Sequence, residues 1–304
     1  GKRVPRERML EVAEHYYLFD GVSPINAQNR ALLAALIAEL DAHGVHLPVY
    51  WGNRNWHPML EDTIRQMAED GVRRALAFVT SAFASYSGCR QYLEDIQAAR
   101  AAIGPAAPVV EKLRLFFNHP GFIEPTADRV AEAFESIDPG DRPVTRLLFT
   151  AHSLPLAMAG RCAYVEQLRE ACRLVAERAG RGEWDLVYQS RSGPAGQAWL
   201  EPDIRDHLAA LRGGAGCRHA VVAPIGFLSE HMEVIYDLDV EAAGLCQELG
   251  ITMVRSAVVG CHPRFVAMIR ELLQERLEES PVRLAVGNLG PSPDVCPGGC
   301  CPPR

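Results

Sequence analysis

Apolar and polar positions along this chain follow two alternating periods. Short continuous runs rich in branched and aromatic residues occur at VHLPVYWG (45–52), ALAFVTSAF (75–83), RLLFTA (146–151), WDLVYQS (184–190) and HAVVAPIGF (219–227). Most of them run into Gly, Ser or Pro, the pattern of buried parallel strands. Between these runs the apolar residues recur at helical spacing over 26–43, 59–71, 89–103, 125–136, 162–179, 203–212, 238–249 and 263–278. Pro58 ahead of MLEDTIRQM and Asp203 ahead of another helical run mark helix starts. Strand and helix in alternation predict an α/β fold of parallel sheets with helices on both faces. Ligands of such folds sit outside the carboxyl ends of the strands, where His152, Ser190 and Glu230 all fall.

Turn formers crowd at SIDPGDRPV (136–144), between a helix and a strand, and predict a boundary between a first domain, 1–140, and a second, 141–286. A chain of 304 residues is long enough for two cores. Residues 287–304 change character: NLGPSPDVCPGGCCPPR is nearly all Pro, Gly, Cys and polar residues, a Cys-rich tail that cannot build a core of its own.

The bulk composition narrows the function classes. A net charge of −7 and a pI near 5.8 argue against nucleic acid as a partner. No run approaches the length of uninterrupted apolar residues that a membrane span needs, so membrane contact is expected to be peripheral at most. Nine cysteines, an odd number scattered through helix- and strand-like segments, read as thiols of a reducing cytoplasm rather than a disulfide scaffold. The sequence begins at Gly1 with neither an initiator Met nor a signal-peptide pattern, so it reads as part of a longer protein.

Two segments carry candidate chemistry. In TAHSLP (150–155), His152 sits where an apolar run stops, and Pro155 disfavours helix at Leu154 and holds a turn. A lone histidine after a strand is more often structural, yet imidazole is also the side chain best matched to moving protons near neutral pH. In PIGFLSEHMEVIYDLDVEA (224–242), Glu233, Asp237 and Glu241 recur at every fourth residue and share one helix face. Like charges so spaced cost roughly 0.2–0.5 kcal/mol per pair, and no Lys or Arg between Glu230 and Glu241 relieves them. Hard oxygen ligands in a row suit a hydrated divalent cation or a proton path, with Glu230 and His231 placed to close the same site. The competing reading is a solvated acidic face. A third feature is the tail, where Cys296, Cys300 and Cys301 lie within six residues. Thiols that dense bind an iron–sulfur centre or zinc, with an unliganded tail as the bland alternative, and a fourth ligand must come from elsewhere.

Taken together, TAHSLP, YQSRSGPAGQAWLEPDI (188–204) and EHMEVIYDLDVE (230–241) resemble the ferrochelatases, and the likeness runs from Arg3-Val4-Pro5 to the last helix. YSGCRQYLEDI and GNRNW are similar to the actinobacterial members, which act on coproporphyrin III; protoporphyrin IX is the other substrate the family implies. The resemblance implies two Rossmann-like, doubly wound domains with the site between them, and insertion of ferrous iron (Fe2+, the substrate) into a porphyrin. It implies His152 and Glu233 as catalytic residues facing each other across the macrocycle, and His152, Glu233, Asp237 and Glu241 as a path for metal or protons. It also places Ser23, Arg54 and Tyr86 near the porphyrin and leaves Trp199 structural. The Cys-rich tail resembles the subset that binds a [2Fe-2S] cluster, which implies Cys162, Cys296, Cys300 and Cys301 as its ligands. Gly298 and Gly299 would give the backbone freedom for that turn, and the cluster would pin the tail to the second domain. Members of the family open with a further strand and loop ahead of Gly1 that this sequence lacks. Two other readings keep the scaffold and change the function: a cobaltochelatase, and a non-catalytic haem-binding or redox-sensing protein.

Overall fold

The computed structural model describes residues 6–193, 196–278, 282–297 and 299–302. Arg3, Val4, Pro5, Pro194 and Gly298, all named in the sequence reading, lie outside the described residues. The first half comprises α1 (Arg6–Tyr17), α2 (Ile25–Ala42), α3 (Leu60–Glu69), β1 (Arg74–Ala77), α4 (Gln91–Ile103), β2 (Val109–Lys112) and α5 (Pro120–Glu135). A wide turn of helix, Tyr86–Arg90, leads into α4. The second half comprises β3 (Arg146–His152), α6 (Leu156–Ala159), α7 (Tyr164–Arg178), β4 (Trp184–Gln189), α8 (Ile204–Ala215) and β5 (His219–Ala223). It continues with α9 (Met232–Tyr236), a second wide turn at Asp237–Ala242, α10 (Ala243–Leu249), β6 (Thr252–Arg255) and α11 (Pro263–Leu277).

Every described strand pair is parallel: β1 with β2 in one sheet, and β4-β3-β5-β6 in the other. Antiparallel neighbours need only a tight turn, whereas parallel ones need a crossover, and the helices supply it. The alternation of periods therefore gives the α/β class that the sequence predicts. β3 is central to its sheet, and Leu147, Leu148 and Phe149 are wholly buried there, so both faces read apolar. Burial of such side chains contributes roughly 1.5–3 kcal/mol each.

Packing does not divide where the turn-rich segment lies. One continuous core includes Phe116 and Phe122 from the first half, Phe149 and Val175 from the second, and Phe265 and Leu272 from α11. The last helix thus returns against α2 and α5. The run Val45–Gly52 was expected as a strand, but it joins no ladder and only Asn53 bridges, to Met59. Two strands went unforeseen: β2 (VVEK) and β6 (TMVR) are four residues long and end in a charged residue.

The tail does not lie loose. Asn118 accepts at its carbonyl from Val286 N (2.9 Å) and donates from Nδ2 to the carbonyls of Val286 (3.2 Å) and Gly290 (2.8 Å). Glu170 on α7 accepts from Asn288 N at 2.6 Å. Gly287 takes a φ of +80°, and a Cβ there would meet that Glu170 carboxylate at 2.1 Å.

Candidate active site

β3 delivers His152 to the carboxyl edge of the four-stranded sheet, and three contacts fix the residue. Ser153 N donates to Gln189 O of β4 (2.8 Å), Ser153 Oγ donates to Leu200 O (2.9 Å), and Tyr164 Oη on α7 donates to the His152 carbonyl (3.0 Å). Gly226, after β5, passes so close that a Cβ would lie 2.7 Å from the Ala151 backbone, so this approach requires glycine. His152 Nδ1 lies 2.6 Å from Ser153 O. A carbonyl can only accept, so Nδ1 carries the proton of the neutral ring and the lone pair sits on Nε2. Nε2 faces Glu233 Oε1 at 3.7 Å, with the two side chains 31% and 50% exposed. The site is therefore a basic nitrogen and a carboxylate in contact and open to solvent. Two van der Waals contacts of about 3.5 Å would be needed to seat a ring between them. In this structure the two side chains meet directly.

Glu233 is set by local capping. His231 is the N-cap of α9, its Nδ1 accepting from Glu233 N at 3.2 Å, and Gln189 Nε2 donates to the Glu233 carbonyl. Burial pushes the His231 ring below its ordinary range, in keeping with that neutral, accepting role. Glu230 is spent elsewhere: it binds Arg255 Nη1 (2.9 Å) and accepts from Val258 N (3.2 Å). Both side chains are thus held by bonds of their own.

Asp237 and Glu241 follow Glu233 on the wide turn Asp237–Ala242, a helix irregularity often found at functional sites. Ser190, just past β4 with a φ of +60°, donates its hydroxyl to Asp237 Oδ2. Burial raises the Asp237 carboxyl to about 6; Glu241 and Glu233 push the same way, and the Ser190 hydroxyl opposes them. Glu241 meets Arg205 of α8 at 3.5 Å, and Asp239 meets Arg255 at 2.5 Å. The charge relief missing from the segment itself thus comes from other elements. Among the described residues, no three His, Cys, Asp or Glu side chains are close enough together to hold a metal ion. The acids form a row, not a cage.

Asp237 invites a direct check. The folded state holds its proton up to about pH 6, whereas an unfolded chain releases it near 3.8, so the native state binds more protons between those values. Stability therefore falls as pH rises from about 4 to about 6, and the whole cost is present above that. Asp237→Asn is expected to stabilise the chain by about 1–2 kcal/mol at pH 7, after discounting for solvent screening, and by almost nothing below pH 4. Urea melts at the two pH values measure the difference; equal effects at both would count against the buried carboxyl.

The three residues expected at the porphyrin each make bonds of their own. Ser23 accepts weakly from Ile25 N (3.4 Å) in the turn before α2. Arg54 is paired with Asp95 (2.5 Å) and stacked on the Tyr92 ring (4.6 Å). Tyr86 donates to Glu94 at 2.9 Å. Among the described residues, none of the three bonds to His152, Glu233 or Asp237. Arg54 borders a cavity of about 470 Å³, walled by Leu33, Leu36, Met67 and Leu273, which does not include His152. Its wall joins α2 and α3 of the first half to α11 of the second.

The thiols do gather. Cys301 is buried against Ala84 and Leu115, with Cys162 and Cys300 packed on the same cluster. Cys300 Sγ lies 3.5 Å from Cys301 Sγ. A hydrogen bond from Cys301, helped by the Tyr164 N–H, draws the Cys162 thiol down to about 7. Cys296 in turn meets Cys300 and also Cys89, a residue that sequence reading left out. A hydrogen bond from Cys296, then Lys112, draws Cys89 down to about 5. Lys112 and Tyr164 also escaped, since a lysine ending a short strand and a tyrosine opening an amphipathic helix carry no local signal. The tail is held by both halves, through Cys89 and Arg90 as well as Cys162, and not by the second alone.

A family model described as ferrochelatase matches residues 1–277. The ferrochelatase of Rhodopirellula baltica is 58% identical over 99% of this chain and 86% of its own length. The coproporphyrin III ferrochelatases of Streptomyces griseus and Nocardia farcinica are 49% and 50% identical over the whole of this chain and 87% and 90% of theirs. Among solved structures, SirB of Bacillus subtilis with Fe3+ superposes with a TM-score of 0.57 at 15% identity, covering 83% of this chain and 92% of that one, a likeness of fold. No helix among the described residues is long and apolar enough to cross a membrane.

Proposed function

We propose coproporphyrin III as the substrate of this chain, which belongs to the ferrochelatase family and inserts ferrous iron into a porphyrin in haem biosynthesis. Relatives identical at about half their positions carry coproporphyrin III in their names. We place the reaction in the cytoplasm, as the nine free cysteines favour.

The observation that carries the mechanism is the His152–Glu233 contact at the carboxyl ends of the strands. Metalation replaces two pyrrole protons by one Fe2+, so the protein must take up protons where it presents the ion. The unprotonated Nε2 of His152 accepts a pyrrole proton, and the imidazolium so formed is met by the Glu233 carboxylate. Asp237, raised to about 6 by burial, takes protons one turn further on, and Glu241 releases them at the surface. Run inward, the same row of oxygens would hand a hydrated cation to Glu233.

Cys162, Cys296, Cys300 and Cys301 would hold a [2Fe-2S] centre. Their contacts bring that donor set together: Cys162 meets Cys301, Cys301 lies 3.5 Å from Cys300, and Cys300 meets Cys296. Bound there, the centre supplies a cross-link between the tail and the Cys162 segment.

The test is anaerobic turnover with ferrous iron, coproporphyrin III and protoporphyrin IX being compared by absorbance. Coproporphyrin III is expected to be metallated at least ten-fold faster. Equal rates would remove the substrate assignment; no insertion into either would remove the mechanism.

A further inference from the structure

Two side chains of the first half reach across to the short helix that carries Glu233. Gln28, on the first turn of α2, turns both ends of its amide to one residue, Glu230. Its Nε2 donates to the Glu230 carbonyl (3.0 Å), and its Oε1 accepts from Glu230 N (2.8 Å). His15, in the last turn of α1, stacks on the ring of Tyr236, with centroids 3.6 Å apart and planes 10° from parallel. Glu230 precedes the N-cap of α9 and Tyr236 is its last residue, so the first half meets this helix at both ends.

α9 needs such support. Five residues are too few for a helix to hold by its own backbone bonds, and a wide turn follows it. Among the described residues the Glu233 carboxylate pairs with His152 alone, at 3.7 Å and half exposed. Its place therefore follows from the backbone that carries it, whereas His152 is fixed by the sheet and α7. Glu230 is tied to its own half through its carboxylate, which meets Arg255 and Val258 N. That leaves its main-chain N–H and C=O, which a glutamine amide, donor and acceptor side by side, matches as a neighbouring strand would.

We propose that Gln28 is a positioning residue for metal insertion: it fixes the entry to α9 and so sets the distance at which Glu233 stands from His152. The inference rests on the reading of Glu233 as a catalytic carboxylate. Gln28 acts through the backbone from Glu230 to Glu233 rather than by touching substrate. A misplacement of about 1 Å in a reacting group costs roughly a hundred-fold in rate. Loss of Gln28 costs less, because Gln189 still holds the Glu233 carbonyl and His231 its N–H.

The experiment compares the whole chain with Gln28→Met, which keeps the side-chain length and removes both bonds, with Glu233→Gln, and with the double variant. Anaerobic insertion of ferrous iron is followed with the faster of the two porphyrins. Gln28→Met is expected to lower kcat by about ten-fold and to leave the KM for porphyrin within about two-fold. Its thermal melt should stay near the parent's, because α2 remains packed on α11. Amides of residues 231–236 should exchange hydrogen several-fold faster in that variant, with those of β3 unchanged. In the Glu233→Gln background the same substitution should cost less than about two-fold, as expected of residues acting through one another. A parental kcat in Gln28→Met, while Glu233→Gln is slow, overturns the positioning role and leaves the reading of Glu233 standing. So does an undiminished loss on top of Glu233→Gln, or a change confined to the porphyrin KM. A parental rate in Glu233→Gln removes that reading itself, and the positioning role with it.

Discussion

Replacing His152 by Ala is expected to lower turnover by about two to four orders of magnitude while porphyrin binding persists. The imidazole offers its only lone pair, on Nε2, toward Glu233, and its other nitrogen is committed to Ser153 O. Alanine removes that acceptor without disturbing the wall, because the anchors of residue 152 are the Tyr164 hydroxyl on its carbonyl and the Ser153 bonds to β4 and Leu200. Porphyrin affinity by fluorescence quenching should change less than three-fold, and exogenous imidazole should restore part of the rate. A variant that turns over at the parental rate would remove His152 from the chemistry. One that loses binding and turnover together would make it a wall residue.

The sequence revealed what depends on local period and hid what depends on crossings. α2, α3, α7 and α11 begin and end within two residues of their expected spans, because their apolar stripes are long. β2 and β6 are too short to show any period, and Val45–Gly52 is apolar enough for a strand yet packs without a partner edge. At the site, the spacing of Glu233, Asp237 and Glu241 was readable, since all three lie on one short stretch of chain, α9 and the wide turn that continues it. Arg205, Arg255 and Ser190 were not, since they arrive from α8, β6 and the end of β4. Cys89 lies 207 positions before Cys296. The parallel first sheet sets Lys112 against Cys89, beside the turn before α4.

The largest stability effect is expected at Arg114, two residues past β2. Its guanidinium grips Glu275 of α11 with two parallel bonds, Nε to Oε2 at 2.6 Å and Nη2 to Oε1 at 2.7 Å, with both side chains at most 3% exposed. Nη2 also donates to Leu284 O at 2.9 Å, so one side chain ties the first sheet, the last helix and the lead into the tail. Arg114→Met leaves a carboxylate buried without a partner, and breaking a buried pair from one side costs about 3–5 kcal/mol. Replacing both residues, Arg114→Met with Glu275→Leu, removes the stranded charge and should recover most of that loss, because burying the pair cost nearly as much as its attraction returned. Urea midpoints of the two single variants and the double close the cycle. Freed of its Leu284 bond, the tail of the Arg114→Met chain should also expose Cys296 and Cys300 to a thiol reagent faster than the parent does. Single and double variants equally unstable would show that the pair holds α11 by attraction in its own right, and a near-parental Arg114→Met would show that the carboxylate reaches water.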